Sequence, residues 1–197
     1  MKIVVVIPTY DESKNIGRLI EALNEEFKKM LSHEFHILVV EGNSPDGTAD
    51  VVREQMKKYD FVHLLMEEKK AGLGAAYVYG FKYAMNELKA DVLVEMDADF
   101  QHDPKELPGL IKGIDEGYDY IIGSRFVKGG SIPKSWEFKR KIFSKGGNAL
   151  SKIILGIRGV SDFTTGYKVS RVKGFADSID LDNVLSKGFA YKLDLLY

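Results

Sequence analysis

An α/β fold on an open, mostly parallel sheet with helices on both faces is what this chain of 197 residues predicts. Three observations lead there. Short runs rich in Val and Ile alternate with segments of about 10 to 15 residues whose apolar positions recur at helical spacing. The short runs are nearly continuous rather than alternating in polarity, as in strands covered on both faces of a parallel sheet. The segments between them are long enough to make right-handed crossovers.

Residues 2–7 are the first such run, and Pro8 is expected to end it. Ile16, Leu19, Ile20, Leu23, Phe27, Met30 and Leu31 then share one helical face, with Asp11 or Ser13 as the cap. Residues 35–40 form a second strand, followed by the turn-rich segment 43–48 and a helix near 49–59. Residues 62–66 are a third strand, and Gly72 and Gly74 open a helix running to residue 88. A fourth strand at 92–96, a helix at 105–116 and a strand at 120–122 complete the alternating part. Past Gly123 the rhythm changes. Residues 124–136 carry glycines, a proline and little periodicity, as surface loops do, and 138–155 returns to helical spacing with heavy basic content.

Composition removes several function classes. Apolar residues make up 45% and charged residues 29%, as in a soluble globular protein and unlike disordered or fibrous chains. No cysteine is present, so disulfide scaffolds, thiolate zinc sites and cysteine nucleophiles are excluded. No apolar run approaches the roughly 20 residues needed to span a bilayer, and residues 3–7 are too short for a signal-peptide core, so a cytoplasmic location is expected. The net charge of -1 hides two opposed patches. Residues 91–119 hold nine acids against Lys105 and Lys112, whereas 125–158 hold nine Lys or Arg against Glu137. The basic patch carries no recognised nucleic-acid reader motif, so no nucleic-acid partner is expected.

Ligands of open α/β sheets gather at the carboxyl ends of the strands, which singles out residues 8–12, 41–48, 97–103 and 123–128. The fourth strand ends in Met96-Asp97-Ala98-Asp99-Phe100-Gln101. Two carboxylates two positions apart repel unless a cation or hydrogen-bond donors compensate them. Mg²⁺ or Mn²⁺ suits such a pair, since these ions take one or two carboxylates plus substrate phosphate oxygens, and Gln101 can add a neutral oxygen. Asp-x-Asp alone reads equally as an acidic loop capping the next helix, but Asp103-Pro104 already looks like that cap. His102 has no second histidine nearby and is expected to hydrogen-bond or lie at the surface rather than to ligate. Pro8-Thr9-Tyr10-Asp11-Glu12 sets an aromatic beside acids, which can stack on a nucleobase and accept hydrogen bonds from it; alone, it is more simply a helix entry. Gly72 and Gly74 make no dinucleotide fingerprint, because Tyr77 stands where a third glycine would fall.

Taken in order, Val6-Ile7-Pro8-Thr9-Tyr10-Asp11-Glu12, Asn43-Ser44-Pro45-Asp46-Gly47-Thr48, Gly72-Leu73-Gly74-Ala75-Ala76, Met96-Asp97-Ala98-Asp99-Phe100-Gln101-His102 and Gly123-Ser124-Arg125-Phe126-Val127-Lys128-Gly129-Gly130 resemble the family 2 glycosyltransferases. Within that family the resemblance is to the dolichyl-phosphate mannosyltransferases, and it covers nearly the whole chain. It implies a GT-A nucleotide-sugar-binding fold, a GDP-mannose donor, a divalent metal and a dolichyl or other polyprenyl phosphate acceptor. Residues 1–123 would then be the nucleotide-sugar part and 124–197 the acceptor side of a single catalytic domain. Pro8, Tyr10 and Glu12 would contact the nucleoside with Val40 beside the base; Asp97, Ala98, Asp99 and Gln101 would hold metal and diphosphate. Asp99, Arg125 and Arg140 would be the catalytic set, the arginines lying near the donor phosphates or the acceptor. Two departures stand out. The family usually has paired aspartates where this chain has Glu41-Gly42, so a base- or ribose-binding carboxylate is lost or moved. Family members also continue past the point corresponding to Tyr197, so the chain is expected to be truncated at that end.

The expected reaction is inverting transfer of mannose from GDP-mannose to a polyprenyl phosphate. Arg125, Lys128, Lys134 and Arg140 are candidates for guiding the lipid phosphate, because arginine grips two phosphate oxygens at once; each is equally a solvated basic residue. The basic helix at 138–155 can lie among lipid headgroups, making the protein peripheral at the cytosolic face of a membrane, or can pack on the core. A UDP-glucose-dependent transferase and a sugar-nucleotide-binding module without turnover are the alternatives.

Overall fold

A computed structural model of the chain describes residues 1–127, 129–130, 132, 146–148, 156, 160–184, 186, 188 and 191. Six strands form one sheet: β1 (Lys2–Thr9), β2 (Glu34–Glu41), β3 (Val62–Met66), β4 (Val92–Glu95), β5 (Tyr120–Ile122) and β6 (Lys168–Arg171), in the order β3-β2-β1-β4-β6-β5. Helices α1 (Ile16–Phe27), α2 (Thr48–Met56), α3 (Leu73–Asn86) and α4 (Leu107–Asp115) link the first five strands.

The alternation of side chains along each strand divides the core into two layers. Ile3, Val5 and Ile7 face one way with Ile37, Val39 and Val94, against Leu19 and Leu23 of α1, Val52 of α2 and Ile111 of α4. Val4, Val6, Leu38 and Val40 face the other way, against Tyr77, Phe81 and Ala84 of α3. Leu19, Ile20 and Leu23 are fully buried, and each such side chain contributes roughly 1.5–3 kcal/mol. Close approach of α3 depends on Gly80, where a Cβ would stand 2.6 Å from Val6 and 2.8 Å from Val40.

Strand β1 pairs in parallel with β2 over its whole length, from Lys2↔Glu34 to Thr9↔Glu41, but with β4 only from Ile3↔Val92 to Val6↔Glu95. That difference explains why Pro8 does not end the strand as expected. Beyond Val6 the β4 side of β1 has no ladder to interrupt, so a residue without an N–H is tolerated there. The strand order reverses direction between β1 and β4, and such a switch point is where ligands of open α/β sheets settle.

The structure corrects three further expectations. Neither Asp11 nor Ser13 caps α1; Asn15 stands at the cap, and its side chain instead donates to Glu12 Oε2 at 2.8 Å. Leu31 falls past the end of α1 and is 87% exposed, so it leaves the apolar face. Strand β6 was not expected, yet it runs antiparallel between β4 and β5 and is the strand that holds β5 in the sheet. Its sequence, Lys-Val-Ser-Arg, gives no apolar signal because the charged ends take partners: Lys168 is wholly buried opposite Glu95, and Arg171 pairs with Asp119 at 3.3 Å.

Candidate active site

The loop after β1 is fastened to the loop after β2 by its own backbone. The N–H groups of Asp11, Glu12 and Ser13 donate in turn to Ser44 Oγ at 3.0 Å, Thr48 Oγ1 at 2.9 Å and Asp46 Oδ2 at 2.9 Å. Asp46 also accepts from the Thr48 hydroxyl and backbone, bonds that hold its carboxyl well below the usual carboxylate range. Glu41, wholly buried, spends its carboxylate on the N–H and hydroxyl of Ser44. The acids of the second loop therefore build the platform on which Tyr10 stands. Tyr10 itself is 41% exposed, with Lys70 Nζ lying 3.2 Å from its ring centroid as a cation–π partner.

Of the expected nucleoside residues, Pro8, Tyr10 and Glu12 gather at this edge, Pro8 opposite Val40 in the register. Val40 is wholly buried under α3, so its backbone, not its side chain, is what a base could meet. Ala98 is likewise buried, at 3% exposure, and offers backbone alone.

After β4 the chain presents its acids. Asp99 is exposed, accepting at 3.0 Å from the Gln101 N–H and at 2.5 Å from the Gln101 amide nitrogen. Gln101 thus steadies Asp99, and its carbonyl oxygen is the atom suited to a cation. Asp97 keeps its side chain 30% exposed and is positioned from two sides. Tyr77 donates to Asp97 Oδ1 at 3.0 Å, and the Asp97 N–H donates to His102 Nδ1 at 2.9 Å. His102 is buried and stacks on Tyr167 at 5.1 Å, so the expected hydrogen-bonding role holds and the surface alternative does not. Burial, then the charges of Asp97 and Glu95, push the Tyr77 hydroxyl well above its ordinary value, so it remains a donor. Tyr77 stacks on Tyr191, whose hydroxyl donates to buried Glu95 at 2.6 Å. Tyr77 was noticed in the sequence only as a missing glycine; a lone tyrosine inside a helix carries no signal of the carboxylate it will meet.

Asp11, Asn43 and Phe100 have φ near +60°, one in each of the loops after β1, β2 and β4. Such conformations cost about 1–3 kcal/mol and collect at functional sites.

Two acids flanked by a glutamine at a strand tip fit a hard divalent ion of the kind completed by substrate phosphates. Among the described residues no group of three or more His, Cys, Asp or Glu side chains closes on one point, so any such ion would take its remaining ligands from a diphosphate and water.

Arg125 is held by Asp162 and Thr164. Its Nε meets Asp162 Oδ2 at 2.7 Å, while one guanidinium nitrogen meets Asp162 Oδ1 at 2.8 Å and Thr164 Oγ1 at 2.7 Å. Burial raises the Asp162 carboxyl, but hydrogen bonds and charge from Arg125 outweigh it and hold that carboxyl below its usual value. Asn148 accepts from the Phe163 N–H at 2.6 Å and closes the same cluster. These bonds tie the segment after β5 to the loop before β6 and fix where the Arg125 guanidinium stands. Lys128, Lys134, Arg140 and most of the expected basic helix lie outside the described residues. No helix among the described residues is long and apolar enough to cross a membrane.

The same arrangement of strands recurs in solved glycosyltransferases, which defines the fold as GT-A. Mannosyl-3-phosphoglycerate synthase from Rubrobacter xylanophilus superposes with a TM-score of 0.63 at 19% identity, covering 89% of this chain and 54% of that one. TarS of S. aureus, in complex with UDP-GlcNAc, gives 0.62 at 20% identity over 99% of this chain and 53% of that one. Residues 4–176 match the glycosyl transferase family 2 model, and the chain belongs to that family. Curated relatives include the polyprenol monophosphomannose synthase of Mycolicibacterium smegmatis, 40% identical over 98% of this chain and 70% of that protein. The undecaprenyl-phosphate mannosyltransferase of Micrococcus luteus is 37% identical over 100% and 77%. The dolichol-phosphate mannosyltransferase of Pyrococcus furiosus is 36% identical over 100% of this chain and 52% of its own length.

Proposed function

We propose that this chain transfers a mannosyl group from GDP-mannose to the phosphate of a polyprenyl lipid such as dolichyl phosphate, with inversion, assisted by Mg²⁺ or Mn²⁺. The observation that carries the reading is identity of 36–40% along nearly the whole chain to three proteins named for mannose and polyprenyl phosphates. The site's chemistry agrees. The acceptor is a phosphate monoester with a second pKa of about 6, hence largely dianionic at neutral pH, and needs no strong base. One of its oxygens attacks the anomeric carbon as the bond from that carbon to the donor diphosphate breaks on the opposite face, which inverts the centre. Asp97, Asp99 and Gln101 would hold the cation, which when bound neutralises charge growing on the departing diphosphate.

The chain's own residues do the orienting. Tyr77 and His102 fix Asp97, Gln101 steadies Asp99, and Tyr10 with Pro8 offers a wall for the nucleoside. Rate then comes from holding acceptor and donor in line. Lys128, Lys134 and Arg140 remain the cations proposed to guide the lipid phosphate, at the cytosolic face of a membrane.

Labelled GDP-mannose, Mn²⁺ and a polyprenyl phosphate in detergent should give a labelled lipid product, with UDP-glucose a poor donor. Preference for UDP-glucose would overturn the donor assignment. Tight nucleotide binding without transfer would favour a binding module. Sedimentation with anionic liposomes tests the peripheral contact, and a chain left wholly in the supernatant would remove it.

A further inference from the structure

Glu95 ends β4 and Asp97 follows two places on, and each of these acids meets a tyrosine hydroxyl. Tyr77 of α3 donates to Asp97 Oδ1 at 3.0 Å, and Tyr191 donates to Glu95 Oε2 at 2.6 Å. The two rings lie against each other, centroids 5.2 Å apart and planes 23° from parallel, and both side chains are wholly buried. Phe81 also meets the Tyr77 ring, but tilted by 43° at 5.7 Å, so the face-to-face contact comes from Tyr191. Burial first, then the charge of the acid each one faces, pushes both hydroxyls well above their ordinary values, so both remain donors. Tyr191 reaches this place because Gly74 carries no side chain. A Cβ at that position would stand 2.7 Å from the Ser186 carbonyl oxygen, 2.8 Å from Tyr191 Cβ and 2.9 Å from the Gly188 carbonyl oxygen, too close for all three to stay. Gly74 and Tyr77 are three residues apart in α3 and share one face of the helix. One surface of that first turn is therefore both the seat of Tyr191 and the source of the donor to Asp97.

Resting on the reading of Asp97 as a cation ligand, we infer that Tyr191 is a positioning residue for that site: its ring, anchored through its hydroxyl to Glu95, holds the Tyr77 ring where the Tyr77 hydroxyl reaches Asp97. A carboxylate fixed by a donor behind it has its orientation set on folding, so less is lost when a cation binds. Tyr77 supplies that donor, and the stacked ring of Tyr191 removes freedom the Tyr77 ring would otherwise keep. Tyr191 touches no reacting group and acts through Tyr77. Gly74, which makes no dinucleotide fingerprint, is accounted for by the seat it leaves.

Calorimetry of GDP binding by the full chain over a series of Mn²⁺ concentrations tests this, with thermal melts alongside. Tyr77→Phe, which removes the donor to Asp97, should raise the Mn²⁺ needed for half-maximal binding about 10- to 100-fold, the usual cost of losing a partner behind a metal ligand. Tyr191→Leu, which removes the flat ring, should raise it about tenfold, and saturating Mn²⁺ should return GDP affinity to the wild-type value. The double variant should need no more Mn²⁺ than Tyr77→Phe alone, because Tyr191 acts through the hydroxyl already lost. Tyr191→Phe keeps the ring and should restore the wild-type Mn²⁺ requirement while melting lower, since the bond to Glu95 is gone. Should Tyr191→Leu not melt as a folded protein, Tyr191→Met, a flexible apolar filler, makes the same comparison. An unchanged Mn²⁺ requirement in the folded variant, or losses that add in the double one, overturns the positioning role while leaving the cation site intact. GDP binding by the wild-type chain that ignores Mn²⁺ overturns the reading of Asp97 as a cation ligand, and the inference with it.

Discussion

The loops after β2 and β4 look alike as strings, each with acids among small polar residues, and the fold puts them to opposite uses. After β2, Glu41 is wholly buried against Ser44, and Asp46 is closed on Thr48 and Ser13. After β4, Asp99 is exposed, and Asp97 is held by Tyr77 and His102 with its side chain 30% open. One loop satisfies its carboxylates internally; the other has them positioned by neighbours and leaves them open to solvent. The lesson is that an acid's role follows from who donates to it, and not from its spacing to the next acid.

The comparison can be broken by substitution. Asp99→Ala should abolish metal-dependent nucleotide binding, read by calorimetry with GDP and Mn²⁺, with little change in melting temperature because the side chain is exposed. Normal affinity in that variant would place the ion elsewhere. Arg125→Ala should act on stability, because it leaves the buried Asp162 charge without its partner, a loss of about 3–5 kcal/mol measured by denaturant unfolding. A phosphate-binding role alone would instead weaken substrate binding and spare the unfolding midpoint. Glu41→Ala should cost less, about 1 kcal/mol, since it removes the carboxylate that the half-buried Ser44 donates to, and should lower nucleotide affinity only by loosening the platform under Tyr10.

The smallest effect is the acid limb of the stability curve. Asp162 has its folded value depressed, so its contribution is present above the unfolded value of about 3.9 and disappears as pH falls through the lower folded value. Thermal melts of wild type should therefore fall below about pH 4, and Arg125→Ala should flatten that dependence. An equally steep fall in the variant would assign the acid sensitivity to other carboxylates.

Much of this could be read from one sequence. The strands at 62–66 and 120–122 fall where their apolar runs put them, and the alternating order gave the parallel core. The position of Asp97 and Asp99 just past β4 was legible because the apolar run before them marks where the strand stops. Strand β6 was not, because its ends are charged and its pairing partners lie more than 70 residues upstream in β4 and more than 40 upstream in β5, contacts that no local pattern encodes. The partner of Arg125 was not legible for a related reason: Asp162 lies 37 residues on, and nothing local links the two.

By itself the sequence determined the αβ alternation, the two-layer core and the family, because periodic burial and ordered motifs are properties of neighbouring residues. Only the tertiary structure decided which carboxylates are spent and which are offered, because the donors that reach them come from elements distant in sequence, as Tyr77 of α3 reaches Asp97.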